Sequence, residues 1–250
     1  MAASLSLLSP ATGPGDLSQV WRAAELGRVD GAVVPTGQAL LDAQLPGGGW
    51  PVGAMVEVLQ EQAGAHEWDL LLPALVRLAG AHSGPMVLVG SPYVPFSPAL
   101  AARGLPGERL LCVDAAAPAA RLWACEQALR CFDAAAVLAW LPQARASALR
   151  RLHMAAQDGG KLFFVFRPAA AQHESSAASL RLLLGGIDVM TVDIFKRRGP
   201  PLPAPLVLPA RSPRLAALLA ASHSRRLPIP TAAVLSFRTS HALDRVAAAG

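Results

Sequence analysis

From residue 52 onward, short apolar runs alternate with stretches of helical periodicity. The runs at 56–59, 86–89, 110–113, 135–141 and 162–166 contain few polar residues. Strands covered on both faces by helices have this composition. Between them, 67–80 places Leu71, Leu75 and Leu78 on one face, with Pro73 expected in the first turns. Ser97-Pro98 reads as an N-cap followed by the first helical position, and Gly104 ends that helix. Residues 118–132 repeat Leu122, Cys125, Leu129 and Phe132 at helical spacing, and 145–157 turns Leu149 and Leu152 inward with Arg150 and Arg151 outward. This alternation predicts a doubly wound α/β domain with a mainly parallel sheet.

The rhythm changes after residue 178. Residues 180–184 and 189–196 are strand-like and flank Gly185-Gly186-Ile187-Asp188, which predicts a C-terminal β-hairpin. Before residue 31, a short helix capped by Asp16 or Ser18 carries the stripe Val20, Trp21, Ala24 and Leu26. So short a helix needs a surface to pack on, which makes Trp21 a candidate contact, either with its own domain or with a partner. The division expected is therefore an N-terminal segment 1–30, a core 31–198 and a Pro/Arg-rich tail 199–250. The tail reads as irregular, with one short helix available at 214–223.

Charge divides along the same lines. The chain of 250 residues has a net charge of +5, but residues 1–195 carry 13 basic and 16 acidic side chains, and residues 196–250 carry 9 basic and 1 acidic. A mildly acidic body does not bind nucleic acid by bulk positive charge. The tail cations include Lys196, Arg197, Arg198, Arg225 and Arg226, beside Leu215 and Leu218. They fit a solvated tail, a docking segment for a partner, or a nucleic-acid contact. Three cysteines without CxxC spacing point to a reducing compartment, and the N-terminus lacks the pattern of a signal peptide. With no apolar run approaching a membrane span, a cytoplasmic protein without membrane contact is expected. The six histidines have no metal-ligand spacing with the cysteines, so no metal site is expected. Cys125, Cys131, Trp68, Trp123 and Trp140 read as packing residues. Trp50, between Gly49 and Pro51, is harder to bury and is a candidate contact.

Residues 36–69, TGQALLDAQLPGGGWPVGAMVEVLQEQAGAHEWD, hold a glycine-rich turn ahead of a strand and then a helix. The pattern TG…LD…GGG-x-P-x-G-x-x-VE resembles the entry into the core of RecA-type recombinases. In those proteins the strand leads into the phosphate loop GxxxxGK[ST], whose N–H groups, Lys and hydroxyl hold a triphosphate and Mg²⁺. Here the same slot has Gln60 and Ala65 for the glycines, His66 for the lysine and Glu67 for the hydroxyl. Glu61, Glu67 and Asp69 add three carboxylates, with no Lys or Arg between residues 55 and 76. Carboxylates near a phosphate cost about 1–4 kcal/mol each. Val89-Gly90-Ser91-Pro92 stands where a RecA-like ATPase has its glutamate, and Trp140 where it has its Asp. These losses predict a RecA-like fold that binds no nucleotide cofactor and catalyses nothing.

The series VVPTG (33–37), LPGGGWPVG (45–53), LLLPALVRLA (70–79), SPYVPFSPALAARGL (91–105), LWACEQALR (122–130), AVLAWLP (136–142), ALRRLHMAAQDGGKLFFVFRP (148–168) and IFKRRGPP (194–201) resembles the ImuA family of bacterial mutagenesis cassettes. The related SulA-type division inhibitors, which target FtsZ, are the alternative. The ImuA resemblance implies an accessory role in SOS-induced translesion synthesis through contacts with ImuB and with RecA. The two connections matching the DNA-binding loops of RecA, 142–146 and 167–176, carry only Arg145 and Arg167, which argues against direct DNA binding there.

Overall fold

A computed structural model describes residues 31–186, 189–200 and 202–209. Trp21, Leu215, Leu218, Arg225 and Arg226 lie outside the described residues. The chain opens with β1 (Val33–Val34), α1 (Ala39–Asp42), β2 (Trp50–Pro51), β3 (Ala54–Gln60) and α2 (Glu67–Ala81). Then follow β4 (Met86–Val89), α3 (Ser97–Ala102), β5 (Leu110–Val113), α4 (Pro118–Arg130) and β6 (Ala136–Trp140). The series closes with α5 (Ala146–Gly159), β7 (Leu162–Pro168), β8 (Leu180–Gly185), β9 (Met190–Lys196) and β10 (Leu206–Leu208).

Eight strands form one sheet in the order β10-β9-β8-β3-β7-β6-β4-β5. From β8 to β5 every pairing is parallel, and β9 and β10 add antiparallel strands at one edge. The alternating pattern thus folds as expected into a doubly wound, mainly parallel α/β sheet consistent with a RecA-like core, with β8 and β9 as the C-terminal hairpin. One difference concerns the tail. Residues 206–208, read from the sequence as irregular, pair with β9, and Leu208 is buried. Three apolar residues are too short a run to stand out among prolines.

The pleat explains the core. Along β7, Leu162, Phe164 and Phe166 enter one apolar layer, which includes α2, while Phe163 and Val165 enter the other, which includes α4 and α5. Trp50 belongs to the first layer. It is fully buried and meets the Phe164 ring edge-on at 5.3 Å, so it is a core residue and not a surface contact. The glycines before it make this possible. Gly47 and Gly48 take φ of 80° and 78°, and a Cβ on Gly49 would lie 2.5 Å from the Val34 carbonyl oxygen.

Pro73 sits in the second turn of α2, among its first turns as expected, and Gly37 approaches it so closely that a Cβ there would be 2.4 Å from the Pro73 Cβ. Other helix readings change. Ser97 is the first residue of α3 and makes no capping bond. α4 ends at Arg130, which leaves Cys131 and Phe132 exposed, and Trp123 is 65% exposed on its outer face. Helical spacing identified the right segment but not its last turn. Cys125 is buried as expected, and desolvation pushes its thiol up to about 12.

The sheet also buries charge. Glu57, at the middle of β3, is fully buried between Arg167 of β7 and Arg181 of β8. Arg167 Nη1 donates to Glu57 Oε1 at 2.9 Å and Arg181 Nε donates to Oε2 at 2.5 Å. Arg167 Nη2 also donates to Glu174 and to the Ala144 carbonyl, and Arg181 Nη1 and Nη2 donate to the carbonyls of Gln172 and Ala171. Burial opposes the Arg167 charge, yet the bonds to Glu174 and Glu57 outweigh it and raise its pKa; the same contact lowers that of the exposed Glu174. Removing one member of such a cluster strands the others in a dry interior. Glu57→Gln is expected to destabilise the fold by about 3–5 kcal/mol, read as a lower urea midpoint.

Met55 donates its N–H to His153 Nδ1 at 3.2 Å, which requires that nitrogen to be unprotonated. Burial, and then the Lys196 charge, hold the His153 pKa below its ordinary value. The unfolded chain therefore takes up this proton first, at about pH 6.5. Stability is expected to be fully present above that pH and to fall as pH drops from there toward the lower folded pKa. Comparison of pH-dependent urea midpoints with His153→Gln checks this, since the variant lacks that component of the slope.

Candidate functional site

The vacant phosphate slot is built where β3 ends at Gln60 and α2 begins at Glu67. Its turn is closed by the chain's own carboxylate. Glu67 Oε1 accepts the Gly64 N–H at 2.6 Å and a Gln60 Nε2 hydrogen at 2.9 Å. In a phosphate loop, N–H groups of this turn meet a phosphate at the positive end of the helix. Here an acidic side chain in the first turn meets one of them instead. Gln60, His66 and Glu67 are all at least nine-tenths buried, while Ala65 is exposed.

His66 replaces the phosphate-binding lysine but turns toward protein. Its Nε2 lies 2.9 Å from the Gly186 carbonyl oxygen, and its Nδ1 is 3.8 Å from Asp69. The slot is less uniformly acidic in space than along the chain. Arg103, just after α3, donates to Asp69 Oδ1 at 2.9 Å, so a cation distant in sequence offsets one of the three carboxylates. Gly64 is held by packing too: a Cβ there would fall 2.8 Å from the Tyr93 ring.

The two other ATPase positions are equally altered. After β4, Ser91 donates its hydroxyl hydrogen to the Tyr93 carbonyl at 2.7 Å, and Arg121 packs over Gly90. At the end of β6, Trp140 stacks on Phe166 with centroids 4.6 Å apart. An aromatic stack therefore stands where metal-binding acidity would be needed. Of the loop cations, Arg145 is exposed, whereas Arg167 is 3% exposed and committed to Glu57 and Glu174. Only Arg145 of that pair is presented to a ligand.

The basic run that begins at the last residue of β9 is dispersed by its contacts. Lys196 donates to the Ser176 carbonyl, Arg197 bonds the carbonyls of Gln44 and Pro200, and Arg198 is exposed. Burial and the neighbouring Arg181 charge lower the Lys196 pKa. The sequence reading missed the loop between β4 and α3, where Tyr93, Val94 and Phe96 are 61%, 91% and 71% exposed beside the slot. The available signal was its composition, two aromatics and a valine set between prolines, which neither a strand nor a helix interior accommodates. Among the described residues, no helix is long and apolar enough to cross a membrane.

Glu67 engages the Gly64 amide of the turn, and His66 stands where a phosphate loop has its lysine. Titration of the full chain with ATP and Mg²⁺ in a calorimeter is expected to give no saturable heat at micromolar to millimolar nucleotide. Saturable binding would overturn this reading of residues 60–67.

No family model matches the chain. The chain is similar to the cell division inhibitor SulA of Edwardsiella piscicida, with 33% identity over 117 residues, spanning 44% of this chain and 70% of the relative. Identity at that level over more than two thirds of the relative places the chain in its family: the protein belongs to the SulA family of cell division inhibitors.

Proposed function

We propose that the protein is a non-catalytic component of the SOS response that works by binding other proteins, as an ImuA-like accessory of damage-induced translesion synthesis. The observation that carries this reading is Glu67, whose carboxylate takes the Gly64 amide in the turn that a nucleotide-binding relative needs for phosphate. A fold that retains the RecA-like sheet but fills its catalytic positions with Glu67, Ser91 and Trp140 is suited to offering a surface to partners. The partners implied by the ImuA resemblance are ImuB and RecA. The motifs supporting it extend from residue 33 to residue 201, beyond the 117 residues matched to SulA. On this reading the protein acts in the cytoplasm.

The SulA match favours a second reading, inhibition of cell division through FtsZ. Both readings use a RecA-like body without nucleotide chemistry and differ only in partner. Immobilised full-length protein challenged separately with purified ImuB, RecA and FtsZ distinguishes them. Retention of ImuB without FtsZ is expected; retention of FtsZ alone would replace the first reading with the second, and retention of none would reject both. A 1–209 truncation that loses ImuB would place the contact in the Arg-rich tail, around Leu215, Leu218, Arg225 and Arg226.

A further inference from the structure

α4 and α5 pack side by side on one face of the sheet. Each returns the chain between parallel strands, α4 from β5 to β6 and α5 from β6 to β7, so the two helices run in the same direction. Glu126 of α4 joins them. Its Oε1 accepts from Arg130 Nη2 at 2.8 Å, one turn on in the same helix, and its Oε2 from Arg151 Nε of α5 at 3.1 Å. The carboxylate is mostly covered, whereas both arginine side chains are exposed. The neighbouring turns complete one outward face. Trp123 precedes Glu126 by three residues and Met154 follows Arg151 by three, and they are 65% and 53% exposed. Arg150 is exposed next to Arg151.

Cations outnumber acids on this face. Among the described residues, Glu126 is the only carboxylate paired with Arg130 or Arg151, and Arg150 forms no ion pair. Three arginines around one covered carboxylate leave a positive, solvent-facing surface about two apolar side chains. The surroundings have the opposite sign. Residues 118–159 carry five arginines and three acids, whereas the rest of residues 1–195 carries eight basic and thirteen acidic side chains. A nucleic acid spreads its charge well beyond such an island and would meet the acidic remainder of the body. A short acidic segment of a protein confines its charge to the island, and its apolar side chains cover Trp123 and Met154. Arginine–carboxylate pairs around an exposed tryptophan are also the residues on which protein interfaces concentrate binding energy.

We propose that the outer face of α4 and α5, built from Trp123, Arg130, Arg150, Arg151 and Met154, docks an acidic segment of a partner protein that also carries an apolar anchor residue. Glu126 is a positioning residue of this face: it holds Arg130 and Arg151 before the partner arrives, so less side-chain freedom is lost on binding. The inference rests on the protein–protein reading above and adds to it the chemistry of the partner.

The test selects phage-displayed random dodecapeptides on the full-length chain and measures binding of the enriched peptides by fluorescence anisotropy. Enriched peptides are expected to be rich in Asp and Glu and to share an apolar position. Trp123→Ala and Arg150→Glu, both at exposed positions that leave the core and the Glu126 ion pairs intact, should each weaken them at least about tenfold. Arg77→Glu reverses an exposed charge on α2, against the other face of the sheet, and should leave binding unchanged. The proposal is overturned if no acidic peptide is enriched above an unrelated control protein. It is also overturned if the enriched peptides bind the Trp123 and Arg150 variants as tightly as the parent, because they are then held elsewhere, as on the basic tail. Binding of a single-stranded oligonucleotide that those two variants abolish, with no peptide enriched, would replace the acidic segment with nucleic acid. If the ImuB, RecA and FtsZ trials fail while acidic peptides bind this face, the partner assignment falls and the docking face stands.

Discussion

One carboxylate, Glu57, governs how the centre of the sheet and its carboxyl-end loops are assembled. It lies in β3 with no exposure, and two arginines from the adjacent strands close on its two oxygens. Burying three charges is favourable only when nearly every hydrogen-bonding position is filled. Here the arginines fill most of theirs by reaching past Glu57 to the carbonyls of Ala144, Ala171 and Gln172 and to Glu174, with Arg167 Nε the exception. The cluster therefore joins three parallel strands and also ties down the connections after β6 and β7. In a RecA-like ATPase those connections serve the nucleotide and DNA. In this chain they are held to the body of the fold, and one of the two cations that looked available for DNA, Arg167, is consumed in holding them.

The same economy of charge appears at the slot. By its position in the sequence, Glu67 is a lost magnesium ligand that would merely repel phosphate. In the fold it builds structure instead. It accepts the Gly64 amide and the Gln60 amide hydrogen, and thereby stabilises a turn that in nucleotide-binding relatives is completed by the ligand. Nucleotide binding and autonomous stability of this turn compete for the same N–H. Once the carboxylate occupies it, restoring the lysine alone would not rebuild the site.

The chain, a member of the SulA family, has a mainly parallel α/β sheet consistent with a RecA-like core. The parallel strands present their carboxyl ends to one side, and α/β proteins generally place ligands there. In this chain that edge offers prolines, a stacked tryptophan and an exposed aromatic loop in place of phosphate donors.

The order of strands and helices was legible because the two hydrophobic periods differ and because parallel strands, covered on both faces, are written as continuous apolar runs. The absence of phosphate-loop residues was legible too, since it concerns which side chains exist at given positions. What required the tertiary structure were relations between distant residues. Nothing near Glu57 in the sequence indicates that Arg167 and Arg181 will arrive from β7 and β8, because register across parallel strands is set by packing. Trp50 looked exposed between Gly49 and Pro51, yet the glycine turn carries it onto Phe164. Trp123 and Phe132 looked internal, yet one lies on the outer face of α4 and the other beyond its end. Sequence alone thus determined the elements, their alternation and which residues stand in the phosphate-loop slot, because these depend on local periodicity and residue identity. Burial, charge pairing and the basic face of α4 and α5 were decided only when the sheet brought separated segments within bonding distance.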